Sequence, residues 1–275
     1  VRYVLASFNH VALHYPIKKW AAICALAGST FYLFLSGASW STRRAFIMAA
    51  VMFVAIILDR RGISLRNVAV AAVIILLTTP EAITQAGFQM SFAAVTVLIA
   101  AYAWYQSQRF SFNRSGIIPV AKNKFSTGVL YFGGLAMTSI LAGLATSPFG
   151  IFHFNRYAAY GLAGNLLAMP IMGFVVMPAA ILAVLLIPFG LDQVGWWLMA
   201  KGVASILAVA EFVASWPGAV VHVASVNWWS FCLVVTGGLM LCLLQTPLRL
   251  SGMPVIALAL LLAPLRPADI VLISR

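Results

Sequence analysis

The sequence predicts an all-α fold, a polytopic membrane protein with about seven to eight transmembrane or re-entrant helices. Of 275 residues, 63% are hydrophobic and 8% are charged, and the mean hydropathy is +1.03. A soluble domain carries about a quarter charged residues, so this composition is unsuited to an aqueous surface. The alternation of apolar and polar residues that every strand of a membrane barrel requires is absent.

Apolar runs in the first half of the chain predict four helices, at residues 17–35, 45–58, 68–79 and 87–105. The second and third runs would each be about 20 Å long, shorter than the roughly 30 Å hydrocarbon core of a bilayer. They are therefore either half-helices or spans that continue through the flanking polar segments. Pro80 ends the third run, because proline lacks the amide hydrogen that a helix needs.

The second half predicts helices at 127–146, 162–187, 192–215, 228–244 and 255–262. We expect the stretch 147–161 to lie at the membrane interface, where its aromatic side chains would form part of a belt. Pro170 and Pro178 predict a kinked helix. The segment 192–215 either crosses the membrane or lies along its surface, and its tryptophan pair at 196–197 suits the second option.

The basic residues predict the orientation and explain most of the net charge of +12. With the first helix leaving the cytoplasm, nine bases fall in inner loops: Lys18, Lys19, Arg60, Arg61, Arg66, Arg109, Arg114, Lys122 and Lys124. In the same half, the outer loops hold Arg43 and Arg44. Short cytoplasmic loops of membrane proteins collect Lys and Arg in this way.

Catalytic motifs are not apparent in the sequence. A glycine-rich phosphate loop is absent, and His10 and His14 lack the glutamate that a zinc-protease motif places between its histidines. We interpret this pair as interfacial histidines. The five acidic residues are scattered, and the three cysteines lie in apolar runs as packing residues. We therefore expect no enzyme activity, no metal site and no cofactor in this segment.

The stretch QAGFQMSFAA at 85–94 places polar side chains between two strongly apolar runs. On one helix, Gln85, Gln89, Phe92 and Thr96 would share a stripe, with Phe88 and Ser91 on the neighbouring stripe. A glutamine that faced lipid would leave its amide unsatisfied, so the stripe must face protein or water. Two alternatives follow, hydrogen bonding between helices or a face that lines a path.

Arg43 and Arg44 in SGASWSTRRAF raise the same question for charge. If the second helix begins near Ser39, both arginines lie at the edge of the bilayer, where they either extend to the headgroups or form an anion-attracting ring at an outer mouth. Such a mouth suits a phosphate-bearing substrate better than a cation. Asn165, one turn before Pro170, either caps the kink or lines a path.

Three stretches in this order, LSGASWSTRRAFIMA, TPEAITQAGFQMSFAAV and YGLAGNLLAMPIMGFVVMPAA, resemble the ComEC competence family. Members of that family form the inner-membrane channel for DNA uptake in transformable bacteria. The resemblance implies that residues 1–265 form a transmembrane competence-type domain and that 266–275 begin a truncated C-terminal segment. It also implies a multi-pass protein of the bacterial inner membrane. The implied partners are single-stranded DNA, membrane lipids, other domains of the same longer protein and other competence machinery proteins.

These observations lead to the hypothesis of a channel segment for uptake of single-stranded DNA. The candidate residues of the DNA path are Arg43, Arg44, Gln85, Phe88, Gln89, Ser91, Phe92, Thr96 and Asn165. The two phenylalanines would stack on bases, while the arginines and Gln89 would meet phosphates and base edges. Two alternatives stay open, a transporter of a smaller anionic solute and a structural membrane anchor for neighbouring soluble domains.

Overall fold

The chain is helical almost throughout the part described by the computed structural model, residues 16–113, 124–223, 226–244 and 247–262. The α-helices are α1 (Ile17–Leu35), α2 (Trp40–Ile57), α3 (Leu65–Thr78), α4 (Ala86–Asn113), α5 (Lys124–Phe154), α6 (Gly161–Ile171), α7 (Met177–Leu186), α8 (Asp192–Ala214), α9 (Trp228–Leu243) and α10 (Gly252–Leu262). Shorter elements are 3₁₀-helices at Pro80–Thr84, Ile187–Phe189 and Pro247–Ser251, a π-helical segment at Met172–Val176, and strands β1 (Arg156–Ala158) and β2 (Val220–His222). The predicted all-α fold is confirmed.

Five helical segments are long and apolar enough to cross a membrane: Trp40–Ile57, Ala86–Ser107, Leu130–Phe154, Gly161–Phe189 and Asp192–Ala214. Three more, Leu65–Thr78, Trp228–Leu243 and Leu248–Leu262, are apolar but shorter. Helix α1 has 19 residues, and two lysines in its first turn lower its hydropathy. Large apolar side chains such as Phe34, Leu77 and Leu185 are exposed on these helices, which suits a lipid environment and not water.

The described residues divide into two compact units. Of these residues, one unit contains 16–110 together with 239–244 and 247–251, and the other contains 111–113, 124–223, 226–238 and 252–262. In the first unit, α1 and α2 pack as an antiparallel hairpin. Lys19 Nζ contacts Asp59 Oδ2 at 2.5 Å at its open end. The turn at the other end runs through Gly37, whose φ of +68° lies in the left-handed region that favours glycine.

The two short predicted runs turn out differently. Helix α2 begins at Trp40 and reaches 18 residues, so it continues through the polar segment. Helix α3 has 14 residues and extends about 21 Å, so it remains too short to cross a bilayer alone. The Ser64 hydroxyl accepts the Asn67 amide hydrogen at 3.3 Å, which caps the start of α3. Beyond its end, the chain forms the 3₁₀-helix from Pro80 and then enters α4.

In the second unit, α8 lies antiparallel along the segment Gly161–Phe189. A Cβ on Gly195 would lie 2.5 Å from the Ala183 backbone, and one on Gly202 would lie 2.8 Å from Val176, so both glycines allow close approach. Strand β1 pairs with β2, which places the two loops beyond these helices at the same end. Helix α8 is also long and apolar enough to cross a membrane, and its antiparallel packing along a second such segment favours a crossing over a position along the interface.

Three features of the second unit bear on what the sequence predicted: the end of α5, a pair of short strands and the segment between two prolines. Helix α5 continues through Pro148 to Phe154, so the first half of the stretch 147–161 is helical. The β1–β2 pair was not predicted, because three-residue strands leave too short an alternation to detect. Between the two prolines, the π-helical segment Met172–Val176 interrupts the helix that was predicted to kink, and such segments are places where helices bend.

Candidate functional site

The candidate site lies in the first unit, where the start of α2 meets the start of α4. Ser39 precedes α2, and its hydroxyl accepts the Thr42 amide hydrogen at 3.4 Å. Both arginines therefore lie in the first two turns of a membrane-length helix, as the sequence predicted. Arg43 is exposed, and its guanidinium carbon lies 5.5 Å from the centre of the Trp40 ring, which is a cation–π contact.

Arg44 lies over the backbone of α4 at Gly87. A Cβ added to Gly87 would lie 2.9 Å from Nη2 and 3.3 Å from Nη1 of Arg44, so the guanidinium occupies the space beside this glycine. Nη2 also donates to Ser41 Oγ at 3.4 Å. The Nε atom is buried and has no hydrogen-bond partner. The contact joins the stretch SGASWSTRRAF to the stretch QAGFQMSFAA, and it makes Gly87 part of the site.

Gln85 lies just before α4 and not within it, which corrects the predicted stripe. Its ψ of 128° is extended, and its carbonyl oxygen accepts the Phe88 and Gln89 amide hydrogens, both at 3.1 Å. Gln85 thus stands where the helix is capped, and its side chain does not share the helical periodicity of Gln89, Phe92 and Thr96. The first amide hydrogens of a helix lack intrahelical partners and carry partial positive charge. The Arg44 guanidinium adds to that charge.

Gln89 makes a local hydrogen bond. Its Nε2 atom donates to the Ile83 carbonyl oxygen at 2.9 Å, so the side chain folds back onto the 3₁₀-helix that precedes α4. A backbone carbonyl in an apolar environment is costly unless it is paired, and Gln89 satisfies this one. The polar side chain therefore stabilises the turn between the two helical segments.

Phe88 belongs to the core of the first unit. It is 8% exposed and packs in a cluster with Ile75 and Ala82. Phe92 packs on this cluster, and its ring centre lies 4.4 Å from that of Phe88. Of the two rings, only that of Phe92 retains accessible surface for a further partner, and it is half-buried.

The remaining candidates are Ser91, Thr96 and Asn165. Ser91 and Thr96 are half-buried on α4. Asn165 belongs to the second unit, where it is exposed on α6. Among the hydrogen bonds of the described residues, none involves the Asn165 side chain, so the structure shows no cap on the Pro170 kink. An exposed amide on an apolar membrane helix needs a partner from elsewhere.

The charges at this site are unbalanced. Within the described ranges, the one ion pair joins Lys19 to Asp59, at the opposite end of the α1–α2 hairpin. Arg43 and Arg44 have no carboxylate partner there. In the same ranges, no three His, Cys, Asp or Glu side chains come together as metal ligands. The site is electropositive, polar and near the end of a membrane-length helix, which is the chemistry that attracts an anion.

Sequence reasoning identified the two arginines and Gln89 but missed Gly87 and Ser41 as their neighbours. Gly87 carried a signal, because a glycine in the first turn of a predicted helix indicates a close approach by another group. Nothing in the sequence indicated which group that would be. Ser41, next to a predicted helix start, carried no signal that distinguished it from the other hydroxyls in SGASWSTRR.

The fold and the site together define a polytopic helical membrane protein with an electropositive polar site near the start of two helices. The family model described as "Competence protein" matches residues 1–248, and the chain belongs to that family. The resemblance to the competence family is thereby confirmed.

One curated relative is ComE operon protein 3 of Bacillus subtilis (strain 168), which is 27% identical over 170 residues. The match covers 62% of this chain and 19% of the relative, so the chain spans only a small part of the length of that protein. None of the solved structures matches the chain significantly.

Proposed function

We propose that this chain is a segment of a channel through which single-stranded DNA crosses the bacterial inner membrane during competence. In this proposal, the start of α2 and the start of α4 line part of the DNA path, and Arg44 is the residue that meets the phosphate backbone. The proposal assigns transport and no catalytic step to the segment. Its partners are single-stranded DNA, membrane lipids, the other domains of a longer protein and other competence proteins.

The observation that carries the proposal is the Arg44 guanidinium at Gly87, which has no carboxylate partner among the described residues. A positive side chain within a membrane segment is costly, by about 2.5–3.5 kcal/mol at the centre and less near the ends, so such residues usually face a partner or a water-filled cavity. Arg44 has a buried Nε without a partner and no carboxylate beside it among the described residues. A phosphate would supply both the missing acceptor and the missing negative charge.

The neighbouring side chains suit a polymer that passes without sequence readout. Single strands are bound by positive grooves together with aromatic side chains on which bases stack, and this binding tolerates any sequence. Phe92 is the ring that remains available for stacking on α4, and Arg43 over Trp40 adds an exposed cation near Arg44. Gln89 and Thr96, on the same helix as Phe92, supply hydrogen-bonding groups. Binding of this kind weakens as salt rises, because each phosphate contact displaces counterions.

The test uses full-length protein in a transformable host, with Arg44→Gln and Arg44→Lys compared with Arg61→Gln. Arg61 is a matched control, because it is an exposed arginine at the opposite end of the α1–α2 hairpin. Uptake of labelled DNA into a nuclease-protected state is measured, together with the amount of inserted protein. We expect Arg44→Gln to reduce uptake at least tenfold, Arg44→Lys to reduce it less because the charge remains, and Arg61→Gln to leave it nearly unchanged.

Three results would contradict the proposal. Unchanged DNA uptake in Arg44→Gln, with normal insertion, would mean that Arg44 serves packing and that the segment acts as an anchor. Loss of uptake of a small anionic solute, with DNA uptake intact, would favour a transporter of small anions. Equal loss in Arg44→Gln and Arg61→Gln would mean that net charge, and not this site, controls transport.

A further inference from the structure

A cleft of about 400 Å³ lies between α1 and α2. Its lining is mainly apolar and aromatic, from Tyr32, Ala45, Phe46 and Ala49, and hydroxyl groups of Ser41 and Thr42 contribute near the start of α2. Small side chains along α2 leave the space, because alanines at 45 and 49 fill less volume than the leucines and isoleucines common on these helices. This cleft is not part of the Arg44–Gly87 contact.

The end of the cleft near the start of α2 carries groups that recognise a phosphate. The Ser41 and Thr42 hydroxyls line it. Arg43, the next residue, is exposed and lies over Trp40, which is itself 54% exposed. Tryptophan and arginine at the end of a membrane helix are typical of the headgroup level of a bilayer. The cleft therefore has an apolar body and a cationic, hydroxyl-rich end, which is complementary to an anionic amphiphile.

The charge distribution of the hairpin identifies the side of the membrane on which this end lies. Lys19 and Asp59 meet at the opposite end, where Arg60, Arg61 and Arg66 are also exposed. Basic residues concentrate on the cytoplasmic side of membrane proteins. The cationic end of the cleft, next to the turn through Gly37, therefore faces away from the cytoplasm and opens toward the outer leaflet.

We propose that this cleft binds an anionic phospholipid of the outer leaflet. One acyl chain lies against Tyr32, Ala45 and Ala49, and the phosphate lies against Arg43 and the Ser41 and Thr42 hydroxyls. Charge complementarity supports this occupant, since the described residues place no carboxylate beside Arg43 that would compete for it. The lipid site lies on the α1-facing side of α2 and does not use the contact with α4, although Ser41 and Arg43 border both sites.

The experiment uses full-length protein in bilayer discs that contain either phosphatidylglycerol or phosphatidylcholine, each with the same photoreactive acyl chain. Cross-linked peptides are located by mass spectrometry. Ala45→Leu and Ala49→Val fill the cleft, and Ala27→Leu is the control, because Ala27 is exposed on α1 and does not line the cleft. Arg43→Gln removes the cation. Resistance to protease shows that each variant is folded.

We expect phosphatidylglycerol to label the α1 and α2 peptides several-fold more than phosphatidylcholine does. Both filling variants should lose that labelling, and the control should keep it. Arg43→Gln should reduce phosphatidylglycerol labelling to the phosphatidylcholine level. If labelling is absent in the full-length protein, another segment covers the cleft and the proposal is wrong. Equal labelling by both lipids, or labelling that the filling variants leave unchanged, would also overturn the proposal. Loss of labelling on addition of an oligonucleotide would overturn it in favour of nucleic acid as the occupant.

Discussion

Substitution of Gly87 by alanine tests the contact between α2 and α4. The added Cβ would lie 2.9 Å from Arg44 Nη2, so the guanidinium must move by about 0.5 Å to restore an ordinary contact. Displacing a long side chain from its preferred rotamer costs about 0.5–1.5 kcal/mol. Replacing a glycine by alanine within a helix also stabilises the helix by about 0.5–1 kcal/mol. We therefore expect the free energy of unfolding to change by less than about 1 kcal/mol.

The functional effect of this substitution should be larger than its effect on stability. If Arg44 contacts a phosphate from its present position, displacing the guanidinium should reduce the rate of DNA uptake roughly two- to tenfold. DNA uptake is measured for Gly87→Ala, Arg44→Gln and the double variant. Because both changes act through one guanidinium, the double variant should be no worse than Arg44→Gln alone.

Gly28→Ala is the matched control, since a Cβ at Gly28 on α1 would meet nothing within 4 Å. It should leave uptake unchanged. Additive losses in the double variant would refute the reasoning, because they would show that Gly87→Ala acts through some route other than Arg44. A large fall in stability for Gly87→Ala would refute it as well.

Three other predictions concern stability and topology. Gln89→Ala removes a side-chain hydrogen bond to a backbone carbonyl and should lower the free energy of unfolding in detergent by about 0.5–1.5 kcal/mol. Gly195→Ala forces a Cβ against backbone at 2.5 Å and should lower the thermal unfolding temperature, whereas Gly164→Ala, with open space around it, should not. Single cysteines at exposed Leu191 and Val221 test whether α8 crosses the membrane between them. We expect an impermeant thiol reagent to reach them from opposite sides, and reaction of both from one side would contradict a crossing.

The helices were largely predictable because their signals are local. Apolar runs bounded by charges or prolines gave α1 between the same residues as the structure, and α8 and α9 to within one residue. The start of α2 at Trp40 agrees with the alternative in which this helix begins near Ser39, whose hydroxyl accepts the Thr42 amide hydrogen. The break near Pro170 followed from the missing amide hydrogen of proline.

The candidate site was less predictable, because its contacts are not local. The sequence predicted that Gln85 belongs to the same helix as Gln89. In the structure, Gln85 is an extended residue between the 3₁₀-helix from Pro80 and α4, so it lies outside the helix. Burial of Phe88 depends on α3, and the partner of Arg44 lies on another helix. Helix α5 runs through Pro148, which local rules would treat as an end.

The central claim is that the polar residues from Gln85, just before α4, to Thr96 within it line a water-filled path for DNA. In full-length protein with its native cysteines replaced, single cysteines at Gln85, Gln89 and Thr96 are treated with a membrane-impermeant thiol reagent, with and without single-stranded DNA. Val73, an exposed apolar residue of α3, is the control. The account predicts labelling at the three polar positions, protection of all three by DNA, and none at the control. If none of the three positions is labelled in a protein that still transports DNA, the claim of a water-filled path along these residues is contradicted.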